Sequence, residues 1–254
     1  MTVPVLTADE CDELSDLFDG GRFRSTIEMA RYRFGDGRYR YFDHPLPDTI
    51  AALRASFYRR LAPIANHWAE LLGGAGPAFP LEHEGLLRRC HAAGQQRPTP
   101  LILRYGEGDW NALHQDLYGE VYFPFQVLTI LARPGEDFDG GQFVLLEQRP
   151  RAQSRAHVLE PAQGAFVIFP TRAAHRARRD LPRRYLRLIS SPSRTATGIR
   201  STISSSAVPP GSRLRNPSIA VVGDPLSHTQ SSGSRSTADI VSVGMEDREL
   251  KVTH

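Results

Sequence analysis

The sequence has little cysteine, no long apolar run and no leader-like start, and each scarcity argues against something. No uninterrupted apolar stretch approaches the roughly 20 residues that a helix needs to cross a bilayer. The first residues, Met1 to Phe18, are acidic and amphipathic where a secretory signal is basic and then apolar, so a cytoplasmic protein with no membrane partner is expected. Cys11 and Cys90 stand far apart, with no Cys-x-x-Cys partner. That argues against a disulfide framework and against a zinc site built of thiolates. A basic body is lacking as well. The net charge is +3, but the stretch from Thr171 onward holds 14 basic residues against 6 acids, a net of +8, which leaves residues 1–170 at −5. The basic balance belongs to the tail and says little about what the rest of the chain binds.

What is present is an ordinary globular composition, long enough for one large domain or two small ones. Thr7 caps a segment with acids in its first turn, where Cys11, Leu14, Leu17 and Phe18 recur at helical spacing. The pattern returns more strongly over residues 48–73, with Ile50, Leu53, Phe57, Leu61, Ile64 and Trp68 along one face and Gly73 as a stop. A third helix is predicted before Gly94. After Pro98 the texture changes to short Val, Ile, Leu and Phe runs, such as "TPLILRYGEG", "FPFQVLTILARPG" and "GAFVIFP", separated by Gly and Pro turns. That is the pattern of an antiparallel sandwich or barrel, here in an α+β arrangement with helices packed outside it. From about Ser190 the chain is Ser-rich, poor in aromatics and aperiodic, too polar to offset its ordering entropy, and is expected to be disordered or poorly packed. The expected organisation is a helical and substrate-lip region at 1–97, a barrel core at 98–189 and a tail at 190–254.

The stretch "LRYGEGDWNALHQD" places His114 and Asp116 two apart at the end of a predicted strand. Side chains two apart share a face, so the pair can offer an imidazole nitrogen and a carboxylate oxygen to one metal ion. A third ligand would make a facial triad, which suits iron(II) and leaves positions for an oxo-acid and dioxygen. The motif is short and arises readily by chance in a chain with 9 histidines, so its context has to carry it.

That context resembles a known family. Tyr105, Gly108, Leu113, His114 and Asp116 match the spacing of AlkB-type 2-oxoglutarate dioxygenases, although the Asn expected two places before the Tyr is Leu103 here. A closer likeness, carried by "RFRSTIEMARYRFGDGRYRYF", the stretch from Arg89 to Leu131 and "DFDGGQFVLLEQRPRAQSRA", is to the bacterial Oxygenase-NA family over about residues 18–170. The resemblance implies a double-stranded β-helix (jelly-roll) barrel that binds Fe(II) and 2-oxoglutarate. It gives His114 and Asp116 to the metal and Tyr105 to the oxo-acid. Past Pro170 the likeness fades. None of the family's Arg-His-Gly-Val segment, its Gly-x-Arg turn and its final apolar strand appears intact here, and Ser190 to Ser193 stands where the distal His belongs. His175 is the candidate third ligand. Arg183, Arg184, Arg187 and Arg200 are candidates for the 2-oxoglutarate carboxylate, since a guanidinium grips a carboxylate with two parallel bonds; Arg200 has the most family-like surroundings. A tail translated out of register with its relatives' gene would have this texture: codons for the family's Gly-Thr-Tyr-Arg, read one base early, can give the residues found from Arg179 to Arg183.

The implied chemistry is oxidation by dioxygen coupled to conversion of 2-oxoglutarate to succinate. On an N-methyl group it yields an unstable hemiaminal that releases formaldehyde, so the expected partner is damaged, alkylated nucleic acid. Arg22, Arg24, Arg31, Arg33, Arg38 and Arg40, interleaved with Phe23, Tyr32, Phe34, Tyr39, Tyr41 and Phe42, would then form a lip, or equally an amphipathic strand pair with one solvated face. The alternatives are a prolyl-type protein or amino-acid hydroxylase on the same barrel, and a degenerate barrel that binds without catalysis.

Overall fold

The computed structural model describes residues 1–73, 77–116, 119–148, 151, 153–171, 173–174, 184–190, 193–194 and 238–248. Thr7 opens α1 (Ala8–Gly20) with a reciprocal cap. Its hydroxyl accepts from the Glu10 amide (3.2 Å), and the Glu10 carboxylate accepts from the Thr7 amide (2.8 Å). Then come β1 (Phe23–Glu28), a 3₁₀ turn (Met29–Tyr32), β2 (Gly35–Asp36) and β3 (Arg38–Phe42). Two helices follow, α2 (Asp48–Leu71) and α3 (His83–Ala92). In α2 the buried positions include 54, 58, 61, 62 and 65, a helical face; Ile64, expected on it, falls off that face and is 46% exposed.

The remaining elements are strands. They are β4 (Arg97–Pro98), β5 (Leu101–Tyr105), β6 (Trp110–His114), β7 (Phe125–Ile130), β8 (Asp139–Gly140) and β9 (Phe143–Gln148). After them come β10 (Arg155–Leu159), β11 (Phe166–Pro170), β12 (Ala173–Ala174), β13 (Arg184–Ser190), β14 (Ser193–Arg194), β15 (Ala238–Ser242) and β16 (Asp247–Arg248).

Among the described residues two large antiparallel sheets result, ordered β1-β3-β5-β15-β7-β11 and β10-β9-β13-β6-β2, beside the small pairs β14-β8 and β16-β4. Of β5, β6, β7, β9, β10, β11, β13 and β15 taken in chain order, one sheet holds the first, eighth, third and sixth, and the other the fifth, fourth, seventh and second. That interleaving is a double-stranded β-helix, a jelly roll. Leu128, Phe143, Leu145, Leu159 and Ile240 fill the space between the sheets. The outer face of the first sheet, with Ile102, Val127, Phe166 and Val241, packs on Leu14, Phe18, Ile50, Tyr58 and Leu86 of the helices. Cys11 and Cys90 are buried in that helical layer and are not joined in a disulfide. Among the described residues no helix is long and apolar enough to cross a membrane.

The expectation that everything from residue 190 packs poorly fails for residues 238–248. β15 lies between β5 and β7, with Ala238 opposite Tyr105 and Val241 opposite both Ile102 and Thr129. Ala238 and Ile240 join the interior while Val241 and Val243 face the helices, a period-two pattern too short to stand out in a Ser-rich window. Asp239 ties the strand to α1: its carboxylate accepts two bonds from Arg104 (both 2.8 Å) and one from Ser15 (2.6 Å), and Arg104 stacks on Phe18. The rest of that segment (191–192, 195–237 and 249–254) lies outside the described residues.

Candidate metal centre

Gly108, at φ 82, lets the chain turn from β5 in the first sheet to β6 in the second, a left-handed conformation that glycine adopts without steric cost. His114 is the last residue of β6. Its cross-strand partner is position 188 of β13, which in turn faces Leu145 of β9. Residues directly opposite on neighbouring strands share a face, so His114 lies on the face that carries Leu145 into the interior core.

Asp116 does not share the strand as expected, because β6 ends at His114 and Asp116 lies just beyond it. The two side chains nevertheless converge, with His114 Nε2 3.6 Å from Asp116 Oδ1 and each side chain about one-third exposed. His114 Nδ1 lies 2.7 Å from the Ala112 carbonyl oxygen. A carbonyl only accepts, so the proton sits on Nδ1 and the Nε2 lone pair is left for another partner. On the carboxylate, Gln126 of β7 donates from Nε2 to Oδ2 (2.8 Å), and Oδ1 is the atom nearer the imidazole. Backbone and amide partners of this kind fix the tautomer and the orientation of metal ligands. An ion roughly 2.0–2.2 Å from each donor is compatible with their separation, so the pair fits two positions of an iron(II) triad. Among the described residues no third His, Cys, Asp or Glu joins them. His175 and Arg200 both lie outside the described residues.

Gln126 offers a direct test of this arrangement. Gln126→Ala is expected to weaken Fe(II) binding about 10–100-fold in anaerobic titration, because the carboxylate loses its fixed orientation. Unchanged affinity would mean that the amide does not position Asp116.

Tyr105 is buried at the end of β5, and its hydroxyl oxygen accepts from Asn111 Nδ2 (2.9 Å). Burial pushes the phenol well above its usual range, so it stays protonated, and among the described residues its own proton has no acceptor. A buried donor without an acceptor in a barrel interior is suited to an oxo-acid carboxylate. Elsewhere in the second sheet, His157 of β10 meets Glu147 of β9 (Nε2 to Oε2, 3.1 Å), both buried.

The arginine and aromatic residues of the expected lip divide into two groups. Arg24 stacks on Tyr41 and Arg40 on Phe18 and Phe23, while Phe42 is fully buried, so these residues hold the β1–β3 hairpin together and against α1. Arg31, Tyr32, Arg33 and Phe34 instead stand exposed on the 3₁₀ turn and the residues after it. Asn111, Gln126, Glu147 and His157 were not singled out from the sequence. For Asn111, Gln126 and His157 the signal is a polar residue inside a largely apolar strand, the usual mark of a satisfied polar partner, whereas Glu147 sits beside Gln148 at the end of β9 and carries no such signal.

A family model for Oxygenase-NA, described as an oxygenase catalysing oxidative methylation of damaged DNA, matches residues 37–205. The chain belongs to the Oxygenase-NA family. The Oxygenase-NA match runs through β13 and past β14, beyond Pro170 where the likeness fades to the eye. Two uncharacterized proteins of Mycobacterium tuberculosis, from two strains, are 50% identical over 131 residues, or 52% of this chain and 56% of theirs. The match thus spans about half the length of these curated relatives. Among solved structures, a Pseudomonas putida prolyl-4-hydroxylase is similar with a TM-score of 0.41 and 16% identity, over 74% of this chain and 88% of that one. An oxidoreductase of the 2OG-Fe(II) oxygenase family from Burkholderia pseudomallei gives 0.36 and 18%, over 75% and 83%. At such scores the fold assignment rests on strand order, not on superposition.

Proposed function

We propose that this Oxygenase-NA chain is a cytoplasmic 2-oxoglutarate-dependent dioxygenase that demethylates alkylated nucleic acid oxidatively, a repair reaction. The observation that carries the reading is the His114 and Asp116 pair, oriented by Ala112 and Gln126 on the interior face of the jelly roll. Iron(II), when bound with 2-oxoglutarate and dioxygen, supplies oxidation of a substrate C–H bond while the oxo-acid becomes succinate and carbon dioxide. His114 and Asp116 would hold the metal, with His175, which directly follows β12 in the sequence, as third ligand. Tyr105 would donate its hydroxyl proton to the oxo-acid. For the distal carboxylate, Arg235 joins Arg183, Arg184, Arg187 and Arg200 as a candidate: Gly233-Ser234-Arg235 stands just ahead of β15 in the sequence, the Gly-x-Arg and apolar strand that the family resemblance calls for, while Arg200 keeps the most family-like surroundings of the other four. The apolar interior around Leu128, Leu145 and Leu159 excludes water and strengthens each polar contact made there.

The test is turnover with Fe(II), 2-oxoglutarate and an N-methylated single-stranded oligonucleotide. Formaldehyde and succinate are expected in equal amounts. Hydroxylation of a prolyl peptide in place of this reaction would assign the barrel to protein modification, and a chain that binds neither iron nor 2-oxoglutarate would be a non-catalytic barrel. Arg200→Ala and Arg235→Ala in the same assay separate the two arginines by their demand for 2-oxoglutarate.

A further inference from the structure

The turn from Met29 to Asp36 lies directly on the strand that ends in His114. β2 pairs with β6 through Gly35 and Asn111 and through Asp36 and Trp110, and the Ala112 amide donates to the Phe34 carbonyl (2.6 Å). The carbonyl of the same Ala112 accepts from His114 Nδ1, so a single residue links this turn to the candidate metal ligand. The contact is close enough to need glycine: a Cβ on Gly35, whose φ is +117, would stand 2.1 Å from the Trp110 carbonyl oxygen.

The turn presents an aromatic cluster outward. Tyr32 and Phe34 are 41% and 44% exposed, and their rings are stacked, 5.6 Å apart and 20° from parallel. Trp110 of β6 is 42% exposed, with its indole N–H held by Asp36 (3.0 Å), and Leu113 beside His114 is also exposed. Arg31 and Arg33 flank the rings, and among the described residues neither meets an acid. Their neighbours differ: Arg22 pairs with Asp43, Arg38 pairs with Glu28, and Arg24 and Arg40 are stacked on rings of the hairpin and α1. An apolar cluster kept in water beside a reactive centre marks a contact surface. Flat rings with unpaired guanidinium groups match a partner that has both π faces and phosphates. A base inside a duplex must be extruded to reach a metal at a barrel interior, a cost that an already unpaired strand does not carry, so a single strand is the partner that fits best.

We infer that Tyr32, Phe34 and Trp110, flanked by Arg31 and Arg33, form a stacking platform for single-stranded nucleic acid that presents one base to the His114 and Asp116 pair. The inference rests on the nucleic-acid reading above and adds the surface and the strandedness. Phosphates pair with the two arginines while bases adjoining the target stack on the rings.

The experiment is fluorescence anisotropy of the whole chain with a labelled short oligonucleotide, single-stranded and as its duplex, over a range of salt. Wild type is expected to prefer the single strand. Tyr32→Ala with Phe34→Ala is expected to bind it roughly ten- to a hundredfold more weakly, whereas Tyr32→Phe, which keeps the ring, binds as wild type. Arg31→Ala with Arg33→Ala is expected to flatten the dependence of log affinity on log salt by about 1.4, two phosphate contacts of a single strand. If wild type binds and demethylates the oligonucleotide and the ring and arginine variants match it, the platform is wrong and the nucleic-acid reading stands. If wild type binds no oligonucleotide and turns over only a peptide, both fall together.

Discussion

Replacing Asp247 with alanine is expected to cost ~3–5 kcal/mol of stability, a large share of the ~5–15 kcal/mol that holds a typical protein folded. Asp247 and Arg54 are both almost fully buried, with Arg54 Nη2 2.6 Å from Asp247 Oδ1 and Nε donating to the Gly244 carbonyl. His91 Nε2 reaches the other carboxylate oxygen at 2.9 Å, and His44 stands 3.8 Å from it. Burial presses the guanidinium toward losing its proton and Asp247 is the main opposing influence, so deleting the carboxylate strands a positive charge in a dry site. Urea unfolding reads the loss as a lower midpoint at unchanged slope. Asp247→Leu combined with Arg54→Met should recover most of it, because an apolar pair leaves no charge unpaired. A neutral Asp247→Ala would mean that the carboxylate does not hold the chain end to the helices. The same clasp is expected to be acid-labile. His83, whose Nε2 lies 2.7 Å from the Met245 carbonyl oxygen, is pushed down to about 4, by burial first and then by Arg54. The unfolded chain therefore takes up this proton first as the pH falls, so the stability present above its ordinary value of 6.5 is lost progressively toward pH 4.

His114→Ala is expected to remove iron-dependent turnover altogether and, with it, the weak visible band that Fe(II) and 2-oxoglutarate give together under anaerobic conditions. Substituting a ligand differs from substituting its support. Gln126→Ala leaves both metal-binding atoms in place and shifts affinity, whereas His114→Ala deletes one of the two donors and the link through Ala112 to the 29–36 turn. A wild-type protein that gives no band would mean that the third position is not filled, and the barrel would then be the remnant of an oxygenase.

How much of this was legible in the sequence depended on length scale. α1 and its Thr7 cap, α2 and the strands β5, β7, β9, β10 and β11 each carry an apolar run long enough to read, and helices outside a barrel follow from them. The buried face of α2 was read slightly out of phase, because a row of large apolar residues included Ile64 while Ala62 and Ala65 did the packing. His114 and Asp116 were visible as a motif, but their convergence arises from the strand ending at His114, which no periodicity reports. Gln126 and Asn111 act through partners that only the sheet register brings near. β15 was missed because five residues of alternation are drowned by the composition around them, although they fill a central position.

That position has a consequence for how the molecule comes into being. β15 pairs with β5 and β7, which precede it by roughly a hundred residues or more, so a ribosome making this sequence releases both neighbours long before the strand that joins them exists. During that interval the first sheet is split, with two apolar strands offering unpaired backbone edges to each other and to any other nascent chain. Such distant pairing folds slowly. Translation halted before residue 238 would therefore yield no smaller working barrel, only an open sheet for chaperones or proteases to claim.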